Sequence, residues 1–130
     1  MEGQENAVSK GSLWAGWILT VLVSLMMAMG AVMAFLKTPQ TVQGLAQFGY
    51  SARALPIFGA LELLCALLFL IPRTSVLGAI LMTAYFGGAV ATHIRIGDGM
   101  FLIPVIIGIV VWLGIYLREP RLSALVPLRR

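Results

Sequence analysis

The chain has 130 residues, of which 60% are hydrophobic and only 11% are charged. Soluble domains carry about 25% charged residues, so the composition excludes an ordinary soluble domain, and the length leaves no room for a second one. The net charge of +4 does not indicate nucleic-acid binding. The basic residues lie between and after long apolar runs, where the positive-inside rule places them in membrane proteins.

The first apolar run covers residues 13–36 and contains no charged residue. It exceeds the ~20 residues that a membrane-spanning helix needs. It is also too long for the apolar part of a signal peptide, about 7–15 residues, so we predict a retained transmembrane helix. Ser12 is expected to cap this helix, and residues 1–12 are expected to form a flexible cytoplasmic N-terminus.

A polar interval follows, in which Thr38 and Pro39 provide a helix cap and a first-turn proline. Val42, Leu45 and Ala46 then recur at helical spacing. This pattern predicts a short amphipathic helix that lies at the membrane surface.

Three further apolar runs cover about residues 54–71, 74–94 and 100–117. Pro72 and Arg73 force a tight reversal between the first two of these runs, which makes them antiparallel neighbours. The fold class that follows is all-α: an integral membrane four-helix bundle with a short interfacial helix between spans 1 and 2. We place the transmembrane domain at residues 13–117 and a basic cytoplasmic tail at residues 118–130.

The distribution of basic residues predicts the orientation in the membrane. One side of the bundle holds six of them, namely Lys10, Arg73, Arg118, Arg121, Arg129 and Arg130. The other side holds three, namely Lys37, Arg53 and Arg95. The positive-inside rule then places both termini in the cytoplasm of a multi-pass cell-membrane protein.

Small residues within the runs favour close contact between helices. Gly78 lies beside Ala79, and the pair Gly87 and Gly88 precedes Ala89. Both groups are expected to let neighbouring backbones approach.

Two polar groups lie at one depth on adjacent spans. Glu62 comes nine residues before Ile71, or ~14 Å into the bundle at the helical rise. Tyr85 comes eleven residues after Thr74, or ~16 Å into it. We expect Glu62 to be protonated or to accept a hydrogen bond from the Tyr85 hydroxyl.

A second polar group lies nearer the outer surface, at Thr92, His93 and Arg95. Tyr85, Thr92 and His93 fall on or near one face of their helix and form a polar column that runs from mid-membrane to the rim. Ionisable residues inside a membrane mark functional sites by default. The sequence therefore predicts a cavity for a lipophilic small molecule such as a quinone, with these ligand-binding residues: Glu62, Tyr85, Thr92, His93 and Arg95.

An alternative interpretation stays open, in which the same polar groups only fix helix packing and Arg95 pairs with Asp98 at the surface. The chain would then be a non-catalytic assembly subunit or a homo-oligomer. A small transporter is a third interpretation, which requires oligomerisation to enclose a path.

No catalytic residue can be assigned from the sequence. The single histidine, the single cysteine and scattered acids do not form a metal site. Cys65 lies inside an apolar run, where a small buried side chain is the expected role. A lone cysteine also excludes an intrachain disulfide.

Five segments stand out in order along the chain: residues 48–50 (FGY), 59–62 (GALE), 71–73 (IPR), 77–79 (LGA) and 85–95 (YFGGAVATHIR). Together they resemble the DoxX-like family of small four-span membrane proteins. The resemblance extends over about residues 13–121 and implies a four-helix membrane bundle, as the span count does independently.

The resemblance also implies a link to membrane redox systems. The family takes its name from a subunit of a thiosulfate:quinone oxidoreductase, and more distant relatives are linked to receptor assembly. A membrane or peripheral redox partner is therefore an expectation from the resemblance, and it agrees with the quinone cofactor that the polar side chains suggest. It supplies no catalytic residues, and the lone Cys65 departs from relatives that work through paired cysteines.

Overall fold

The computed structural model describes residues 8–128 of the protein, and these form five α-helices joined by short turns. The helices are α1 (Lys10–Leu36), α2 (Pro39–Gln47), α3 (Leu55–Leu70), α4 (Ser75–Ile96) and α5 (Leu102–Arg118). No strand occurs in this part of the chain, which confirms the all-α class. Flexibility was predicted for residues 1–12; residues 1–7 of that segment lie outside the described residues, and Lys10 to Ser12 belong to α1.

The first helix begins earlier than predicted. Ser9 is its cap, because the Ser9 hydroxyl accepts a hydrogen bond from the backbone N–H of Ser12 at 3.2 Å. Ser12 lies in the first helical turn instead, and its hydroxyl donates to the Leu117 carbonyl at 2.8 Å. The prediction that Ser12 caps α1 was wrong; its side chain ties the start of α1 to the end of α5.

The four long helices form a bundle in which α1 packs against α3 and α5, and α4 packs against the same two helices. Successive long helices are therefore neighbours, and α1 and α4 lie on a diagonal. The short helix α2 connects α1 to α3 at one end of the bundle, which we call the α2 end. The opposite end, where α1 begins and α5 finishes, is called the termini end.

Length and composition identify a membrane protein. Within residues 8–128, three helical segments are long and apolar enough to cross a membrane: Lys10–Leu36, Ala52–Leu70 and Pro72–Ile96. Helix α5 is apolar and has 17 residues, which lies at the lower limit of about 17 for a span. Large apolar side chains also cover the outside, as Leu25 and Ile109 show with 62% exposure each. Such a surface suits lipid contact, and the predicted membrane bundle is confirmed.

The tightest packing lies in the half of the bundle nearer the termini end. Phe69, Met82 and Ile115 are fully buried there, and Val111 is 1% exposed. Cys65 joins this core as a free, buried thiol, in the role expected of it.

Glycines set the distance between helices at some positions and leave room at others. A Cβ atom on Gly78 would lie 2.5 Å from the backbone nitrogen of Phe69, so α3 and α4 touch through their backbones there. A Cβ atom on Gly87 or Gly88 would meet nothing within 4 Å. The predicted close approach at Gly87 and Gly88 was therefore wrong. These two glycines widen the spaces on either side of α4 instead.

Arg118 joins three helices at the termini end. Its guanidinium carbon lies 4.3 Å from the centre of the Trp17 ring on α1 and 5.5 Å from that of Phe69 on α3. One terminal nitrogen donates to the Phe69 carbonyl at 3.0 Å. The planar guanidinium stacks on aromatic rings and donates at the same time, so Arg118 fixes this end of the bundle.

Candidate ligand-binding cavity

A cavity of about 550 Å³ occupies the part of the bundle nearer the α2 end. Its volume lies within the ~300–1,000 Å³ that is usual for small-molecule sites. Helices α1, α2, α3 and α4 all contribute to its walls. Its lining residues include Gly30, Leu45, Phe58, Glu62, Tyr85 and Thr92.

The polar base of the cavity is a pair of side chains from adjacent helices. The Tyr85 hydroxyl on α4 donates a hydrogen bond to Oε1 of Glu62 on α3. The helical rise predicted that these residues share one depth, and the structure shows the hydrogen bond expected between them. The pair brings an acid and a phenol together at one point of the cavity.

The second carboxyl oxygen of Glu62 is in a different situation. Oε2 is buried and has no hydrogen-bond partner in the described part of the chain. It packs against Gly30 of α1, where an added Cβ atom would lie only 2.6 Å away. A polar atom left unpaired in an apolar interior costs about 1–3 kcal/mol, so this oxygen is the group in the cavity that most needs a partner.

Gly30 is a site residue that the sequence prediction missed. A glycine inside a helix costs about 1 kcal/mol relative to alanine. A glycine within a predicted helix is therefore a signal, readable from the sequence, that space is needed at that position. In the structure the glycine makes room for the Glu62 carboxyl between α1 and α3.

An aromatic wall lies between the base of the cavity and its rim. The rings of Tyr50 and Phe58 have centres 5.2 Å apart, and those of Phe58 and Tyr85 are 6.4 Å apart. Both pairs meet edge to face, a favoured arrangement of aromatic rings. Tyr50 and Phe58 were also absent from the sequence prediction, because their proximity depends on how the α2–α3 connection folds back.

The rim of the cavity carries paired hydroxyl groups. The Thr92 hydroxyl donates to the Gly88 carbonyl at 2.8 Å and lies 3.3 Å from the Tyr50 hydroxyl. Because a threonine has one hydroxyl hydrogen, Tyr50 is the donor in the second contact. These bonds hold the start of the α2–α3 connection against α4.

His93 also lines the cavity, near the end of α4. Its Nδ1 lies 2.7 Å from Oδ2 of Asp98, and the Phe48 ring meets the imidazole edge to face with centres 4.9 Å apart. The backbone N–H of Met100, together with His93, lowers the pKa of the Asp98 carboxyl below its ordinary value. Asp98 is thus an ionised partner that orients the histidine ring.

Arg95 is the one predicted site residue that does not line the cavity. Its guanidinium donates to the Phe48 carbonyl, just after the end of α2. The alternative pairing of Arg95 with Asp98 was wrong. Gly97 adopts a left-handed conformation with φ of 70° at the end of α4, and the turn that it begins brings Asp98 to His93.

The structure thus brings Glu62, Tyr85, Thr92 and His93 to one cavity and leaves Arg95 beside it. Within residues 8–128, no group of three or more histidine, cysteine or acidic residues could hold a metal ion. A second cavity, of about 540 Å³, lies between α4 and α5 and has almost entirely apolar walls. Its Thr83 hydroxyl already accepts from Trp112 Nε1 at 2.7 Å, which leaves the Tyr116 hydroxyl as the other side-chain oxygen among its lining residues.

Comparison with known proteins is informative at the level of the family. A family model described as the DoxX-like family matches residues 18–114, which include Glu62, Tyr85, Thr92 and His93. No curated protein sequence and no solved structure matches the chain. The family match extends over well more than half of the 130 residues, and the chain therefore belongs to the DoxX-like family.

Proposed function

We propose that this membrane protein binds a quinone-like lipophilic molecule in the cavity at the α2 end and serves a membrane redox system. The observation that carries the proposal is the buried Oε2 of Glu62, an atom without a partner among the described residues, in a side chain that lines the cavity. The redox role rests on the family resemblance, since the family takes its name from a subunit of a thiosulfate:quinone oxidoreductase.

The walls of the cavity suit a planar ring that bears carbonyl groups. Phe58 and Tyr85 present aromatic edges and faces, against which a ring can stack. Glu62 in its protonated form would donate from Oε2 to a carbonyl oxygen of the ligand. In its ionised form the same oxygen would accept from a hydroxyl of the reduced ligand. The site can therefore hold both redox states of a quinone.

The position of Glu62 is hard to explain by packing alone. A carboxyl group within a membrane span costs a few kcal/mol even by the mildest scales, and an apolar residue of similar size would fill the space without that cost. The Tyr85 hydroxyl satisfies only one of the two oxygens. A ligand that pairs with the other oxygen accounts for keeping the acid there.

Ligand-induced thermal shifts in detergent test the proposal. A short-chain quinone should raise the unfolding temperature of the native protein, because a ligand that binds only the folded state stabilises it. Glu62→Gln and Tyr85→Phe should each weaken binding by roughly tenfold, since losing one hydrogen bond to a buried group costs about 1–3 kcal/mol. Glu119→Gln and Tyr116→Phe are matched controls outside the cavity and should bind like the native protein.

Equal shifts in all five proteins would contradict the assignment of Glu62 and Tyr85 as ligand contacts. If no short-chain quinone raises the unfolding temperature of the native protein, the proposal that the ligand is a quinone is contradicted. If the two cavity variants instead lose a co-purifying membrane partner, the chain is an assembly subunit.

The proposed orientation places the α2 end outside the cytoplasm. Among the described residues, Lys10, Arg73, Arg118 and Arg121 lie at the termini end, and cytoplasmic ends carry the excess of basic residues. Alkaline phosphatase is active only outside the cytoplasm, so its fusion after residue 130 should be inactive. An active fusion would show that the protein has the opposite orientation in the membrane.

A further inference from the structure

We infer that residues 38–51 form a lid over the α2 end of the cavity and that Arg95 is its latch. We call these residues the lid; they comprise α2 and the turn after it. The inference deepens the proposed function and rests on it, because it describes how a ligand reaches Glu62.

The lid lies over the cavity without being part of the packed bundle. Thr41, Leu45 and Phe48 line the cavity from this side. None of the residues of α2 is fully buried. A helix that covers an internal cavity but buries no residue of its own can separate from the bundle at low cost.

Three contacts join the C-terminal end of the lid to the last turns of α4, and a fourth joins the Tyr50 ring to Phe58 on α3. Arg95 donates to the Phe48 carbonyl, the Phe48 ring meets His93, and the Tyr50 hydroxyl meets Thr92 at 3.3 Å. The hydrogen bonds involve exposed side chains, which water can solvate when the bonds break, so each contributes little net stability. The strongest is the one from Arg95, because its donor is charged.

Two positions with unusual backbone angles flank the helix of the lid. Lys37, directly before the lid, has φ of 51°, and Gly49 has φ of 87°. Thr38 caps α2 from within the lid, accepting from the Thr41 N–H at 3.4 Å, so α2 keeps its own cap if the chain pivots at Lys37. Helix α2, the main part of the lid, is therefore built to move as one piece between these two turning points.

Closure and opening have different chemical consequences at the rim. In the closed form Tyr50 and Thr92 satisfy each other, and the aromatic wall below them is covered. Opening would free the Tyr50 hydroxyl, and the oxygen of the Thr92 hydroxyl as an acceptor, to meet an arriving polar group before it descends to Glu62. Closure then separates the Glu62–Tyr85 pair from water, which strengthens every polar contact inside.

Cysteine labelling tests the lid without any quinone. Ala89 lines the cavity on α4, and Ala89→Cys in a Cys65→Ala background places a single thiol beneath the lid. Arg95→Met, which keeps the length of the side chain but not its donors, should speed reaction of that thiol with a polar maleimide about fivefold. That factor corresponds to a latch of about 1 kcal/mol. Arg53→Met, which removes another exposed arginine near this end, should leave the rate unchanged.

A second thiol distinguishes local opening from general loosening. Gly108 lines the cavity between α4 and α5, and Gly108→Cys in the same background should react at one rate with or without Arg95→Met. If the thiol of Ala89→Cys reacts at the same rate with and without Arg95→Met, the lid is contradicted. It is also contradicted if Arg95→Met raises the reaction rates of both thiols by the same factor.

The release rate of a tritium-labelled short-chain quinone is an independent test of the lid. Arg95→Met should speed association and release together and change the affinity little, since Arg95 does not line the cavity. The native protein could bind no quinone while Arg95→Met still speeds labelling of Ala89→Cys. That result would contradict the proposed ligand and support the lid. Normal quinone binding, with no effect of Arg95→Met on either the labelling rate or the release rate, would contradict the lid and support the ligand.

Discussion

Gly30→Ala should lower the affinity for a short-chain quinone by at least tenfold while the protein stays folded. The added Cβ atom would lie 2.6 Å from Oε2 of Glu62, far inside van der Waals contact. The atom that it meets is the end of a flexible side chain, so the carboxyl group can swing away without moving a helix. That movement breaks the hydrogen bond from Tyr85 and removes the proposed ligand contact, at a cost of about 1.4 kcal/mol or more.

Alanine also has a higher helix propensity than glycine by about 1 kcal/mol, which offsets the loss of the Tyr85 contact. The unfolding temperature without ligand should therefore change little, and the ligand-induced shift should shrink. Gly87→Ala is the matched control, because its Cβ atom would meet nothing within 4 Å and it lines the other cavity. Undiminished quinone binding in Gly30→Ala would show that the position of Glu62 does not matter to the ligand.

Gly78→Ala should destabilise the bundle by about 2–3 kcal/mol, in the upper range for overpacking. The new Cβ atom would lie 2.5 Å from the Phe69 nitrogen and 2.7 Å from its Cα atom. Both are backbone atoms of α3, so no side chain can move aside and the two helices must separate. The disturbance then spreads to the core around Phe69 and Met82, which are fully buried.

Equilibrium unfolding in mixed detergent micelles measures this change in free energy. Gly108→Ala serves as the comparison, because a Cβ atom there would meet nothing within 4 Å. That variant should match the native protein or gain up to about 1 kcal/mol from helix propensity. If Gly78→Ala were as stable as Gly108→Ala, the close contact between α3 and α4 would be contradicted.

The sequence was sufficient to predict the bundle, because uncharged apolar runs of membrane length leave few alternatives. It also predicted the Glu62–Tyr85 contact. Both residues lie on helices that share the Pro72–Arg73 reversal, and the fixed rise per residue then determines their depth. Depth along a helix is a local quantity, which explains why counting residues was enough.

The rotation of each helix about its own axis was not available from the sequence. Helix α1 is apolar on all sides, so the pattern does not tell which face meets the bundle. Gly30 was missed for this reason, and the open space at Gly87 and Gly88 was mistaken for a close contact. In a membrane protein both lipid and core are apolar, and this ambiguity is inherent in the sequence.

The partner of Arg95 could not be predicted for a different reason. It depends on where the lid lies, which is set by contacts between residues far apart in the chain. The hydrogen bond joins Arg95 to Phe48, and no periodic pattern connects them. The same long-range folding brings Tyr50 and Phe58 into the cavity wall.

A structure determined with a bromine-substituted short-chain quinone tests the central claim most directly. We expect one anomalous peak in the cavity at the α2 end, with a ligand oxygen within hydrogen-bonding distance of Oε2 of Glu62. At a ligand concentration near the Kd of the native protein, the peak should be much weaker in crystals of Glu62→Gln. A peak only in the cavity between α4 and α5, or one that persists unchanged in Glu62→Gln, would contradict the proposed site.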